Sequence, residues 1–456
     1  MSIQSVNPVN GKVLKSFKPI NPETVSRKIE QTHQAWLGWK NTSFAERAAL
    51  MRNMAAVLHK RKDELAHLMA LEMGKPLKQG ISEIEKCALV CDYYAKNAEA
   101  FLADEPVKTD AGKSYIQFQP LGVVLAVMPW NFPFWQVFRF LAPALMAGNC
   151  GVLKHASNVP QCALAIEQII QEARFPKHVF QILLIGGEGV NQVIEHPLVK
   201  AVTLTGSTQA GMAVAQHAAS LLKKTVLELG GSDPYIILED ADLEQAATIC
   251  AESRLINSGQ SCIAAKRFIV VKAVEKQFTA LFKEKLSANT VGDPLDTVNT
   301  VGPLARMDLR DDLHEQVQKS IKAGAKCMLG GEIPKLKSKH AFYPPTLLVN
   351  VKPGMPAYNE ELFGPVASVI TAKNEKDAIA IANDTSFGLG AAVFTSDKQR
   401  GEEIAHQLNA GSCFVNSLVK SDPRLPFGGI NQSGYGRELG IYGIKEFVNI
   451  KTIYIK

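Results

Sequence analysis

Apolar and polar positions divide the chain into three kinds of stretch. From about 24 to 101, apolar residues recur at helical spacing, as in Ala35, Trp36 and Trp39, then Leu50, Met54, Val57 and Leu58, which predicts helices. A boundary follows at Asp104-Glu105-Pro106. Residues 114–119 then alternate up to Pro120, the pattern of a strand. From 121 to 232, short apolar runs at 123–127, 150–154, 179–184, 201–205 and 225–229 alternate with apolar helical segments around 134–148, 160–174 and 208–222. Apolar strands joined by helices predict a parallel sheet covered on both faces, with ligands at the carboxyl ends of its strands.

A second α/β stretch runs from about 233 to 429. Its candidate strands are 234–238, 267–271, 367–371, 391–394 and 412–415, and its helices 241–256, 274–287, 308–323, 375–383 and 397–408. The tail, 447–455, alternates as a lone strand and needs a partner. The 114–119 strand, or one from another subunit, is the candidate.

The 456 residues suffice for two or three domains, and 46% hydrophobic with 21% charged residues is an ordinary globular balance. The net charge of +6 is dispersed. The densest basic cluster, Lys335 to His340, is short and lacks interleaved aromatics, so no nucleic-acid partner is expected. Eight cysteines are too sparse for a disulfide framework, and the ten histidines show no zinc spacing, so no metal is expected. Cys87 and Cys91 share a helix face and suit core packing. The polar start, Met1 to Pro8, has no signal-peptide core, and the apolar run 121–128 is too short for a bilayer. A cytoplasmic chain without membrane contact is the expectation.

Cys262, closing Asn257-Ser258-Gly259-Gln260-Ser261-Cys262, and Glu228, within Leu227-Glu228-Leu229-Gly230-Gly231, stand on glycine-marked turns and suit a nucleophile and a base. Each has a plainer reading: most cysteines are buried packing and most glutamates face water. Asn131, in Pro129-Trp130-Asn131-Phe132-Pro133, follows a strand and fits an oxyanion donor, but a simple turn as well. Gly206-Ser207-Thr208 opens a helix, where free amides suit a phosphate, yet it fits an ordinary cap. No G-x-G-x-x-G run occurs. Lys154, with Ser157 three residues on, fits ribose or phosphate contact, or plain solvent exposure. Glu361 and Phe363, before Gly364-Pro365, fit ribose and ring contacts, or a charged loop beside a buried aromatic.

Seven runs, taken in order, resolve these alternatives together. They are Pro-Trp-Asn-Phe-Pro at 129–133, Leu-Lys at 153–154, Thr-Gly-Ser-Thr at 205–208, Leu-Glu-Leu-Gly-Gly at 227–231, Gly-Gln-Ser-Cys at 259–262, Glu-Leu-Phe-Gly-Pro at 361–365 and Pro-Phe-Gly-Gly at 426–429. The series resembles the aldehyde dehydrogenase superfamily across essentially the whole chain. Lys154-His155-Ala156-Ser157-Asn158 and the stretch 228–234 are similar to the bacterial succinate-semialdehyde dehydrogenases that accept NAD or NADP.

That resemblance implies an α/β fold with a Rossmann-type NAD(P)-binding domain (1–102 and 122–230), an α/β catalytic domain (231–429) and a small β oligomerisation element (103–121 and 430–456). It also implies homodimers or homotetramers. By the same mapping, Cys262 attacks the aldehyde, Asn131 and the Cys262 amide steady the oxyanion, hydride passes to the nicotinamide, and Glu228 activates the water that hydrolyses the thioester. Trp130, Lys154, Ser157, Gly206, Ser207, Glu361 and Phe363 would bind the cofactor. Serine at 157, where NAD-preferring relatives carry glutamate, implies use of NADP with NAD tolerated. Arg139 falls where semialdehyde-specific relatives bind the substrate carboxylate, although a structural arginine fits the position too. A second arginine of some relatives is replaced by Ile256, and Lys420, Ser421 and Arg424 are candidates for the remaining contact. Glu228 argues against a coenzyme-A-acylating relative, which lacks the base. Other small aldehydes, such as glutarate semialdehyde or lactaldehyde, stay open, as does a catalytically silent protein on the same scaffold.

Overall fold

The computed structural model describes residues 3–456. Its first sheet has six strands in the order Gly434–Tyr435, Lys224–Glu228, Val199–Thr205, Val123–Met128, Cys150–His155 and Phe180–Ile182. All are parallel except Gly434–Tyr435, which runs antiparallel at the edge with Gly434 opposite Glu228. Chain order reverses between Val123–Met128 and Val199–Thr205, the place where doubly wound sheets open a crevice beyond their carboxyl ends. The turns at 129–133 and 206–207 leave from that crevice.

The second sheet has seven strands, in the order Lys326–Leu329, Thr346–Val349, Val366–Ala372, Arg267–Val271, Pro234–Ile237, Gly390–Phe394 and Ser412–Val415. Only Lys326–Leu329 is antiparallel. Here the motif residues precede their strands: Cys262 lies just before Arg267–Val271, and Phe363 just before Val366–Ala372. The carboxyl ends of one sheet therefore meet the amino ends of the other.

The helical region resolves into Pro22–Trp39, Phe44–Met73 and Leu77–Phe101. Ser43 and Glu46 form a reciprocal capping box at the second of these. Every residue of Trp135–Met146 is buried, in keeping with a sequence apolar on all sides except Gln136 and Arg139. Cys87 and Cys91 are buried in the same core. No helix among the described residues is long and apolar enough to cross a membrane.

The tail strand Val448–Ile455 pairs antiparallel with Lys113–Pro120 of the same chain, and Glu105–Pro106 adds a short third strand. The small sheet is thus built within one subunit. Within 430–456, however, residues 434–435 pair into the first sheet instead. The strand expected at 179–184 is trimmed to Phe180–Ile182. Two pairs escaped the sequence pattern. The hairpin Ile3–Val6 with Val13–Phe17 lacks apolar alternation because most of its second strand faces solvent. Lys326–Leu329 and Thr346–Val349 form the sheet edge, and the first of them is largely exposed.

Asn149 joins the tail to the first sheet. Its fully buried side chain accepts from Gly122 N at 3.0 Å and donates to Phe447 O at 2.9 Å. Asn149→Ala leaves the buried Gly122 amide unpaired, while Phe447 O still accepts from Leu121 N, so urea unfolding is expected to show a loss of roughly 1–3 kcal/mol.

Candidate active site

The thiol turn is held in an unfavourable backbone shape. Asn257, Ser258 and Gly259 have φ of 52°, 56° and 77°, three left-handed residues in succession. For the two that are not glycine, such a conformation costs on the order of 1–3 kcal/mol each. Side chains from elsewhere fix it. Arg254 donates to Gly259 O at 2.6 Å, Ser258 Oγ accepts from Gly302 N at 2.9 Å, and Gln260 Oε1 accepts from Ala305 N at 2.8 Å. Gly259 has no room for a side chain, since a Cβ there would lie 2.2 Å from the Gly364 carbonyl carbon. Lys266 donates to Cys262 O at 2.8 Å and faces Glu361 Oε1 at 3.3 Å.

Asn131 reaches the same turn. Its Nδ2 donates to Gln260 O at 3.1 Å, and Asn257 Nδ2 donates to Asn131 O at 2.6 Å. One amide hydrogen of Asn131 is left over for a ligand. The loop that carries it is anchored by Glu83, whose Oε1 accepts from Phe134 N and Trp135 N, both at 2.9 Å. Glu83 is ion-paired with buried Lys75, whose Nζ stands 3.8 Å from the Phe132 ring centre. Nothing in the sequence marked Lys75 and Glu83, because a charge in the link between two helices and one on a helix both resemble solvated positions.

Glu228 ends its strand with both carboxylate oxygens buried and without a hydrogen-bond partner. A Cβ on Gly428 would approach Oε1 to 2.6 Å, so glycine is needed there. Burial raises the Glu228 pKa well above the ordinary carboxylate value; Glu438 adds to the rise, while Arg139 and Arg437 oppose it. Burial also raises Glu438, against the pull of Arg139. Cys262 is half-buried, and desolvation of the thiolate pushes its pKa up to about 12 despite Arg139 and Lys266 nearby. These surroundings keep the proton on the resting thiol.

Arg139 takes the structural place that the sequence left open beside the carboxylate clamp. Only 2% exposed, it is ion-paired with Glu438, lies 4.7 Å over the Phe427 ring and reaches Thr205 Oγ1 at 3.4 Å. Its charge is already matched by a carboxylate of this chain, because Glu438 folds back into the same pocket. Ser421 is buried and accepts from Lys86 Nζ at 2.7 Å, a lysine that sequence patterns did not single out.

The remaining residues lie along the crevice. Lys154, Ser157, Asn158, Gly187, Glu188 and Arg306 line a cleft of about 560 Å³. Lys154 is half-buried, its pKa lowered by desolvation, and it has no ion-pair partner among the described residues; Ser157 is exposed. Ser207 caps the helix Thr208–Ser220 by accepting from Ala210 N at 3.3 Å. Gly206 N donates to Glu228 O at 3.0 Å, so the Gly206 amide is spent on the strand of the base. Glu361 Oε1 accepts from Gly231 N at 3.1 Å, and Trp130 meets Phe363 edge-on at 5.7 Å. An unpaired ammonium, a helix N-terminus and an adjoining cleft fit a phosphorylated dinucleotide.

A thiol, a buried carboxyl and an amide donor converging where two α/β sheets meet define an aldehyde-oxidising site. The chain belongs to the aldehyde dehydrogenase family, whose model matches residues 1–453. Among its relatives is a "Probable succinate-semialdehyde dehydrogenase [NADP(+)]" of Synechocystis sp., 51% identical with all of both chains covered. "Succinate-semialdehyde dehydrogenase [NADP(+)] 1" of Mycobacterium tuberculosis is 46% identical, again with all of both chains covered. The crystal structure of succinic semialdehyde dehydrogenase from Streptococcus pyogenes, in complex with NADP+, matches with a TM-score of 0.97 at 37% identity over 99% of each chain.

Native Glu228 keeps its proton above the pH at which an unfolded glutamate loses it. Stability should therefore fall as pH rises from the ordinary carboxylate range toward the raised pKa. Glu228→Gln removes this share, so its urea midpoint relative to the parent should improve between pH 5 and pH 8.

Proposed function

We propose that this protein oxidises succinate semialdehyde to succinate with NADP, tolerating NAD. The reading rests on Cys262 with the buried Glu228, together with a cleft lined by Lys154 and Ser157, and it draws support from relatives of that name at 46–51% identity. Cys262 Sγ gives up its proton and bonds to the aldehyde carbon, forming a thiohemiacetal. The free Nδ2 hydrogen of Asn131 and the Cys262 amide steady its oxyanion. An oxidised nicotinamide, when bound, would supply a positive charge and the acceptor for the hydride of that carbon. Deprotonated Glu228 then takes a proton from water, the hydroxyl adds to the Cys262 thioester, the C–S bond breaks and the acid leaves as the thiol is restored. Lys154 and the helix start at Ser207 would hold phosphates, Glu361 and Phe363 the nicotinamide end, with Trp130 against Phe363.

The same reading divides the chain into the nucleotide, catalytic and oligomerisation units expected from sequence and places it in the cytoplasm. It makes the protein a homodimer or homotetramer. The tail strand supports assembly: Ile450, Tyr454 and Ile455 are 61%, 49% and 50% exposed on a free sheet edge.

In rapid mixing, Glu228→Gln should give one equivalent of NADPH per site and then a steady rate reduced about 10²- to 10⁴-fold. A parallel loss of burst and steady state would remove the hydrolytic role. Ser157→Glu should lower kcat/KM selectively with NADP, by roughly tenfold or more, because a carboxylate would face the 2′-phosphate. Equal losses with NAD would refute the contact.

A further inference from the structure

Lys86 lies on the helix Leu77–Phe101, one turn beyond Glu83. Glu83 grips the amides of Phe134 and Trp135, so Lys86 falls beside the next part of that loop, with Nζ 4.4 Å from the centre of a Trp135 ring. The ammonium donates to Ser421 Oγ at 2.7 Å, which ties two distant parts of the chain together at one spot. Ser421 accepts there and cannot neutralise the charge.

No carboxylate among the described residues pairs with Lys86. The two acids that influence it are committed elsewhere: Glu83 to Lys75, and Asp422 to Arg424 at 2.7 Å. Burial and the nearby Arg139 guanidinium pull the Lys86 pKa down to about 8. A largely desolvated cation kept without a counter-ion is costly unless a ligand supplies one. Trp135 follows directly on the Asn131 loop that meets the thiol turn, which puts Lys86 on the Asn131 side of the site. Arg139 already has Glu438, and Ile256 in the thiol turn brings no charge.

We infer that Lys86, steadied by Ser421 Oγ and the Trp135 ring, receives the carboxylate at the far end of the aldehyde substrate and so determines specificity. This rests on the proposed ω-carboxylated aldehyde as substrate. Lys86 lies outside the bond-making chemistry, so its effect belongs to binding of acidic aldehydes and not to turnover.

The test compares succinate semialdehyde with butanal, of the same chain length but uncharged, at saturating NADP in the parent enzyme, Lys86→Met and Lys86→Arg. Lys86→Met should raise KM for succinate semialdehyde roughly 10- to 100-fold. Its kcat should stay within about threefold, and kcat/KM for butanal should hold or improve. Lys86→Arg, keeping the charge, should recover most of the loss. An unchanged KM for succinate semialdehyde in Lys86→Met, or equal losses on both aldehydes, would overturn the assignment. A parent enzyme that oxidises both equally well would overturn the substrate class itself. A parent that discriminates strongly, with Lys86→Met discriminating as strongly, would overturn Lys86 alone.

Discussion

Two carboxyl groups and one guanidinium are shut away together beside the reactive thiol. Glu228 and Glu438 are 2% and 5% exposed, and Arg139 2%. Arg139 and the half-buried Arg437 do not offset the cost of desolvating two carboxylates, so both are held toward the protonated form. The ion pair with Arg139 favours ionised Glu438, which leaves the proton to Glu228. The proposed base is thus stored in its acid form, and the Cys262 thiol beside it is stored neutral. Both must be discharged during the cycle, so the resting site is guarded against adventitious chemistry by electrostatics.

Geometry serves the same end. The turn at 257–259 is bent by residues that would not choose that shape, and its hydrogen bonds come from Arg254, Gly302 and Ala305. The Asn131 loop is bolted from the other side by Glu83. Thiol and amide donor are presented by two segments, each braced independently, and joined through Asn257 and Gln260.

What was legible in the sequence was local. Cys262, Glu228 and Asn131 sit in short runs whose glycines, prolines and aromatics announce turns, and the parallel strands announced themselves by apolar length. What escaped notice depends on partners far along the chain. Lys86 acquires meaning only from Ser421, Glu83 only from Phe134 and Trp135, and Glu438 only from Arg139. A lysine or glutamate on a helix carries no mark of being buried until the opposing segment is in place. For the same reason Arg139 read as a free clamp, since Glu438 lay beyond any local window. The hairpin at the amino end failed differently: its outward strand has no apolar face to betray it.

The late position of Glu438 bears on how the molecule is made. A chain emerging from the ribosome presents Arg139 long before its ion-pair partner exists. The antiparallel neighbour of the Glu228 strand, at 434–435, and the strand that covers 113–120 are likewise made long after the strands they pair with. Prematurely terminated products therefore lack the counter-charge that lets the pocket close. Closure of the pocket around Arg139 thus waits on a segment made about three hundred residues later.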